Sequence, residues 1–281
     1  MANVSELSQL SCRHPEFHFQ LLSSLQQFGF AGVVDHPLTL RRVQRIYRDW
    51  HIFFSQDRAQ AYAMNSSEQD GYFSVGEAEH AKGYLQRDHK EYFQFYPWGR
   101  CPASLRDDLC AYFDEAVAFG ATLLGLVAEQ LPDEVNARLS EPLQRMIHGS
   151  QRSMLRITHY PPVQKDSELM RAAPHEDINL LTLLPAADGP GLELRLQSGE
   201  WIKVPQLPEQ LIVNVGDMLQ EATAGYLPSA THRVVAPLAN ERNQSRMSMP
   251  LFLHPRPEVA LSQRYTAAHY LSKRLYEMGV A

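Results

Sequence analysis

The chain has 281 residues, enough for a substantial hydrophobic core, and its 44% hydrophobic and 21% charged residues describe a folded rather than a disordered protein. The 26 basic and 32 acidic residues give a net charge of −6, and no dense Lys/Arg run occurs, which argues against a basic nucleic-acid-binding stripe. Cys12, Cys101 and Cys110 are an odd number without CxxC spacing, so neither a disulfide framework nor a zinc knuckle is indicated. The first residues lack a basic stretch followed by an apolar one, and no purely apolar run approaches a membrane span. The expectation is a reduced, cytoplasmic compartment with neither nucleic acid nor membrane as partner.

The first half reads as mainly helical. Phe17 to Phe28 carries apolar residues near the helical period and ends at Gly29, a common helix stop. Phe30-Ala-Gly-Val-Val-Asp-His-Pro37 follows as a short strand broken by its proline, and Leu40 to Phe54 is a second amphipathic helix. Residues 65–100 are irregular and rich in aromatics, with Glu91 to Tyr96 alternating like a strand. Leu105 to Leu131 returns to helical periodicity before Pro132. Near Ser150 the character changes to short β-type runs: Met154 to Tyr160, Ile178 to Leu184, Leu192 to Leu196, Trp201 to Val204, Leu211 to Val215, Thr231 to Ala236 and Met247 to Leu253. Gln197-Ser-Gly-Glu200 suits a hairpin turn between two of them. This spacing predicts an antiparallel jelly roll of about eight strands. Leu261 to Met278 closes the chain as a helix. The expected class is α+β, in one structural unit: residues 1–150 a mainly helical region packing on the core, 151–256 the jelly-roll core, and 257–281 the C-terminal helix.

His175-Glu-Asp177 opens the run into Ile178. If that run is a strand, His175 and Asp177 point to one face while Glu176 turns away. His232, 55 positions after Asp177 at the opening of Arg233-Val-Val, can supply a third ligand, because a jelly roll makes strands distant in sequence into neighbours. Two imidazoles and a carboxylate on one face of an ion leave the opposite face open, an arrangement that suits iron(II) with a cosubstrate and oxygen. A His-x-Asp pair alone also occurs as a turn cap. The surroundings favour the metal: Arg246-Met-Ser248 follows on a strand-like run, and a guanidinium fork beside a hydroxyl forms a receptor for a carboxylate. Val213 to Met218 reads as structural, with Asp217 a turn cap.

Seven short motifs then fall in order: Leu155 to Pro162, Pro174 to Leu184, Gly191 to Leu194, Gly199 to Val204, Val213 to Met218, Ser229 to Val234 and Arg246-Met-Ser248. Together with Phe28-Gly-Phe30, Asp35-His36 and Asp88 to Phe93 they resemble the isopenicillin N synthase-like family of 2-oxoglutarate/Fe(II)-dependent oxygenases, over residues 20–255. The resemblance implies a double-stranded β-helix with flanking helices, with His175, Asp177 and His232 as iron ligands. It implies that Arg246 and Ser248 hold the distal carboxylate of 2-oxoglutarate, with Tyr160 assisting. It also implies a reaction in which O2 and 2-oxoglutarate give succinate and CO2 while a small molecule is hydroxylated, desaturated or cyclised. Where the family often has Asn-x-Tyr, this chain has Thr158-His-Tyr160, which leaves position 158 without an assigned role. Two alternatives stay open on the residues alone. One is a same-family oxidase whose Arg-x-Ser grips the substrate itself; the other is a metal- or small-molecule-binding β-barrel without turnover. The substrate pocket is expected between residues 65–100, Gly225 to Pro228 and the C-terminal helix.

Overall fold

The computed structural model describes residues 7–65, 67–76, 88–163, 170–237 and 243–278. The chain begins with β1 (Gln9–Ser11), α1 (Phe17–Phe28) and β2 (Phe30–Val34). Phe17, Leu21, Leu22 and Leu25 form the buried stripe of α1. The helix stops at Gly29, whose φ of +66° is left-handed, and a Cβ there would lie 2.5 Å from the Pro228 carbonyl. Next come α2 (Leu40–Phe54), β3 (Gly71–Phe73), β4 (Glu91–Phe95) and the long α3 (Ala103–Gln130), then the short α4 (Asp133–Asn136) and α5 (Leu143–Met146). The second half holds β5 (Met154–Tyr160), β6 (Ala172–His175), β7 (Leu181–Pro185), β8 (Leu192–Arg195), β9 (Trp201–Lys203) and β10 (Leu211–Val215). After these, α6 (Asp217–Ala222), β11 (His232–Val234), β12 (Arg246–Ser248), β13 (Leu251–Leu253) and α7 (Ala267–Glu277) complete the chain.

These strands form a nine-stranded sheet, ordered β1-β2-β10-β7-β13-β5-β4-β3 with β12 also on β5, and a four-stranded sheet ordered β6-β11-β8-β9. This is the expected α+β jelly roll with flanking helices. The large sheet sorts its residues by face, as the two-residue period of a strand requires. Leu155, Ile157, Leu181, Leu183, Leu211, Val213, Leu251 and Leu253 turn to the helices in one core. At α3 the packing is close enough that a Cβ on Gly120 would meet Leu253 at 2.3 Å. The opposite face meets the small sheet over Phe30, Tyr160, Leu192, Leu194, Ile212 and Val234.

Several expectations need correction. Strands β1 to β4 come from the first half and join the major sheet. β1 and β2 pair in parallel, because α1 supplies the crossover that a parallel pair needs. The run expected from Ile178 starts only at Leu181, after a connection over residues 176–180. The run expected over Met247 to Leu253 is two strands, interrupted at Pro250, which has no N–H to donate to a ladder. The last helix starts at Ala267, where Thr266 accepts a hydrogen bond from the His269 N–H as its cap.

Candidate metal centre

β6 and β11 are antiparallel neighbours, and their register sets His232 directly opposite His175. The two imidazole centroids are 4.4 Å apart. Each ring faces a carbonyl two residues back through Nδ1, His175 toward Ala173 at 2.8 Å and His232 toward Ala230 at 3.1 Å. Bonds of this kind fix the tautomer and leave both Nε2 atoms as ligand donors. Asp177 does not share a strand face with His175 as the alternation suggested. His175 ends β6, and Asp177 lies just past it in the connection to β7. The carboxylate still reaches the pair: Oδ1 is 3.9 Å from His232 Nε2. One ligand atom from each of His175, Asp177 and His232 lies within 4.8 Å of the others, the one such group among the described residues.

The Asp177 carboxylate is held in place. Its Oδ2 accepts from Thr182 Oγ1 at 2.6 Å and from Asn214 Nδ2 at 2.8 Å, which leaves Oδ1 turned toward the histidines. Neither Thr182 nor Asn214 was singled out from the sequence, although each is a polar residue in an otherwise apolar strand, Leu181-Thr-Leu and Val213-Asn-Val. The connection carrying Asp177 is clamped from below. The Asp217 N–H donates to the Asp177 carbonyl at 2.7 Å, and the Gly216 N–H to that of Leu180 at 3.0 Å. A Cβ at Gly216 would sit 2.2 Å from the Asn179 carbonyl, so close approach rather than backbone freedom requires glycine there. Asp217 is not a turn cap. It opens α6, and its carboxylate pairs with Arg274 of α7 at 2.9 Å. Burial pushes its pKa up to about 6 against the pull of that arginine.

Burial, aided by the nearby His232, depresses the His175 pKa to about 4, and the two histidines hold the Asp177 carboxyl below its ordinary range despite its burial. Two imidazoles beside one oriented carboxylate form a donor set that fits iron(II). If Asn214 aims the carboxylate, Asn214→Leu will cut iron affinity about 10- to 100-fold, as for other outer-sphere partners of metal ligands. Competition with a chelator measures this, and an unchanged affinity would reduce Asn214 to packing.

The residues expected to receive a carboxylate lie on β12 and β5. In the β12–β5 ladder Arg246 faces Tyr160 and Ser248 faces Thr158, so position 158 is the cross-strand partner of Ser248. Arg246 is 1% exposed, and its guanidinium lies 5.1 Å from the Tyr160 ring centre. It donates from Nε to the Gly189 carbonyl at 2.9 Å, and with the Gln206 amide oriented to satisfy both groups it donates from Nη2 to Oε1 at 3.1 Å. Nη1 has no partner among the described residues. A buried guanidinium backed by neutral acceptors and keeping one unused donor fits an incoming carboxylate.

A cavity of about 740 Å³ opens beside His175 and Asp177. Ser67 to Gln69 and Tyr96 of the irregular region line it, with Phe252 of β13 and Leu271, Arg274 and Leu275 of α7. Gly225 to Pro228 does not line it; Thr231 takes that side. Of the aromatics in residues 65–100, Tyr72, Phe73, Tyr92, Phe93 and Phe95 are buried, and Tyr84 lies outside the described residues.

Comparison with known proteins agrees with this geometry. Residues 151–255 match the model of the 2OG-Fe(II) oxygenase superfamily, and residues 2–108 match that of the N-terminal region of the non-haem dioxygenases of morphine synthesis. Two crystal structures with provisional descriptions align over 98% of this chain. One is an oxygenase from Shewanella oneidensis, at 42% identity and a TM-score of 0.88 over 100% of its own length. The other is a 2OG-Fe(II) oxygenase family protein from Caulobacter crescentus, at 28% identity and 0.80 over 99%. Mugineic-acid 3-dioxygenase of Hordeum vulgare is 28% identical over 244 residues, 84% of this chain and 69% of that relative. The chain belongs to the 2OG-Fe(II) oxygenase superfamily and is a 2-oxoglutarate- and Fe(II)-dependent dioxygenase.

Proposed function

We propose that His175, Asp177 and His232 are the iron ligands, that Arg246, Ser248 and Tyr160 receive the distal carboxylate of 2-oxoglutarate, and that a small molecule is oxidised in the adjoining cavity. The observation that carries this reading is the direct cross-strand pairing of His175 with His232, with the oriented Asp177 oxygen beside them. When bound, iron and 2-oxoglutarate supply the oxygen-activating chemistry, with succinate and CO2 released. The chain itself orients the imidazoles through their Nδ1 contacts, aims one carboxylate oxygen, anchors the cosubstrate by its far end and surrounds the substrate with side chains. The three cysteines, none in a disulfide, support a reducing, cytoplasmic setting. A screen of small molecules under O2, following succinate together with product mass, tests the reading and shows whether a hydroxyl, a double bond or a ring is formed. Succinate release stimulated by no compound would count against the cavity as a small-molecule site.

Tyr160 offers a narrower test. Its ring lies beside the Arg246 guanidinium, so Tyr160→Phe keeps the packing and removes only the hydroxyl. The expected result is 2-oxoglutarate binding weaker by roughly 1 kcal/mol, with the fold intact. Unchanged affinity in a direct titration would leave Tyr160 as a packing residue.

A further inference from the structure

A second buried arginine lies in range of Arg246. Arg171, immediately before β6, is 3% exposed, almost as deeply buried as Arg246. Its Nη2 donates to the carbonyl of Gln244, two residues before Arg246, and its Nε has no partner among the described residues. It lies in electrostatic range of Arg246, Tyr160 and Asp188, and both its burial and the Arg246 charge weaken its hold on its proton. Asp188 is in range of both arginines and accepts from the Met247 N–H.

Two buried guanidinium groups close to one another are unfavourable unless anions offset them. Among the described residues Asp188 is the one carboxylate in range of both, and its single negative charge leaves one positive charge in excess there. Each arginine keeps one unused buried donor, Nη1 on Arg246 and Nε on Arg171. An excess charge together with two unused donors is what a single further carboxylate would satisfy.

Resting on the cosubstrate reading above, we propose that Arg171 is a second anchor for the distal carboxylate of 2-oxoglutarate, acting with Arg246 to make the site selective for a dicarboxylic 2-oxo acid over a monocarboxylic one. Arg171 then contributes to the choice of cosubstrate, while Arg246 and Ser248 set the direction from which it enters.

The test is an anaerobic titration of the iron(II) protein with 2-oxoglutarate and, separately, with 2-oxopentanoate, which has the same carbon chain without the distal carboxylate. Iron content is measured alongside. Arg171→Ala should weaken 2-oxoglutarate binding about tenfold or more, as expected for the loss of a charge-assisted hydrogen bond. It should leave 2-oxopentanoate binding and iron content as in wild type. Arg171→Lys keeps the charge and a donor for Gln244, so it should fall between the two, and it carries the test if the Ala variant does not fold. An unchanged 2-oxoglutarate affinity in either variant overturns the proposal. An equal loss for both acids also overturns it, since Arg171 would then serve only to hold the Gln244 backbone. Failure of the wild type to bind 2-oxoglutarate is a different result and overturns the cosubstrate reading itself.

Discussion

Replacing His175, Asp177 or His232 by Ala is expected to bring iron from one per chain to near zero and to abolish turnover with it. Each residue is one of the three proposed protein donors, and among the described residues no fourth His, Cys, Asp or Glu is close enough to substitute. The effect should be largest for Asp177. Its removal deletes the only anionic donor and also leaves Thr182 and Asn214 aimed at an empty position. Acid should mimic the substitutions, because protons compete with the metal for the imidazoles. Since the His175 pKa is depressed to about 4, iron should persist below the ordinary imidazole range and be lost as the pH falls further. Metal analysis of the purified variants, and of wild type across pH, decides the matter; near-normal iron in all three variants would sink the assignment.

Arg246→Ala is expected to weaken 2-oxoglutarate binding by about 2–5 kcal/mol with iron content preserved, the usual cost of deleting one partner of a buried charged pair. Arg246→Lys keeps the charge but should also fail substantially. The guanidinium already serves the Gly189 carbonyl from Nε and Gln206 from Nη2 while keeping Nη1 for the ligand. A single ammonium cannot hold those positions at once. The readout is the visible charge-transfer band of the chelate under anaerobic titration. No band and no binding by the wild type at millimolar cosubstrate would contradict the use of 2-oxoglutarate and favour an oxidase in which Arg246 grips the substrate.

Much of this architecture was legible in the chain because the jelly roll writes itself as alternation. Leu155 and Ile157, or Leu211 and Val213, face the helices while the residues between them face the barrel, and that period survives in the sequence. The cluster of His175, Asp177 and His232 was legible for a related reason: His175 and Asp177 are close in sequence, and His232 opens a β-type run. His175 and Asp177 nevertheless do not share a strand face, since the chain leaves β6 at His175 and Asp177 is placed by the clamp from Gly216 and Asp217. Such a clamp is a contact between backbones and leaves no pattern in residue order beyond a glycine and an aspartate. The strands β1, β3 and β6 were missed because three or four residues are too few to show a period, and their pairing comes from tertiary contacts. Arg171 was passed over because one arginine before two alanines has no local signature. Its meaning comes from Arg246, brought near by folding.

The place of β2 in the major sheet has a consequence for how the protein is made. Its antiparallel neighbour β10 lies roughly 180 residues further along the chain. At a synthesis rate of about 5–20 residues per second, β2 leaves the ribosome on the order of ten to forty seconds before that neighbour exists. Through this interval Phe30, which belongs to the barrel side, and the edge of β2 that β10 will take have no partner. The helical first half can collapse early, but the barrel can close only late, once nearly the whole chain is available. The proposed iron site shares this schedule, because His175 and His232 come together only when β11 has joined β6. With these ligands, metal loading would be a late event in the biogenesis of this enzyme.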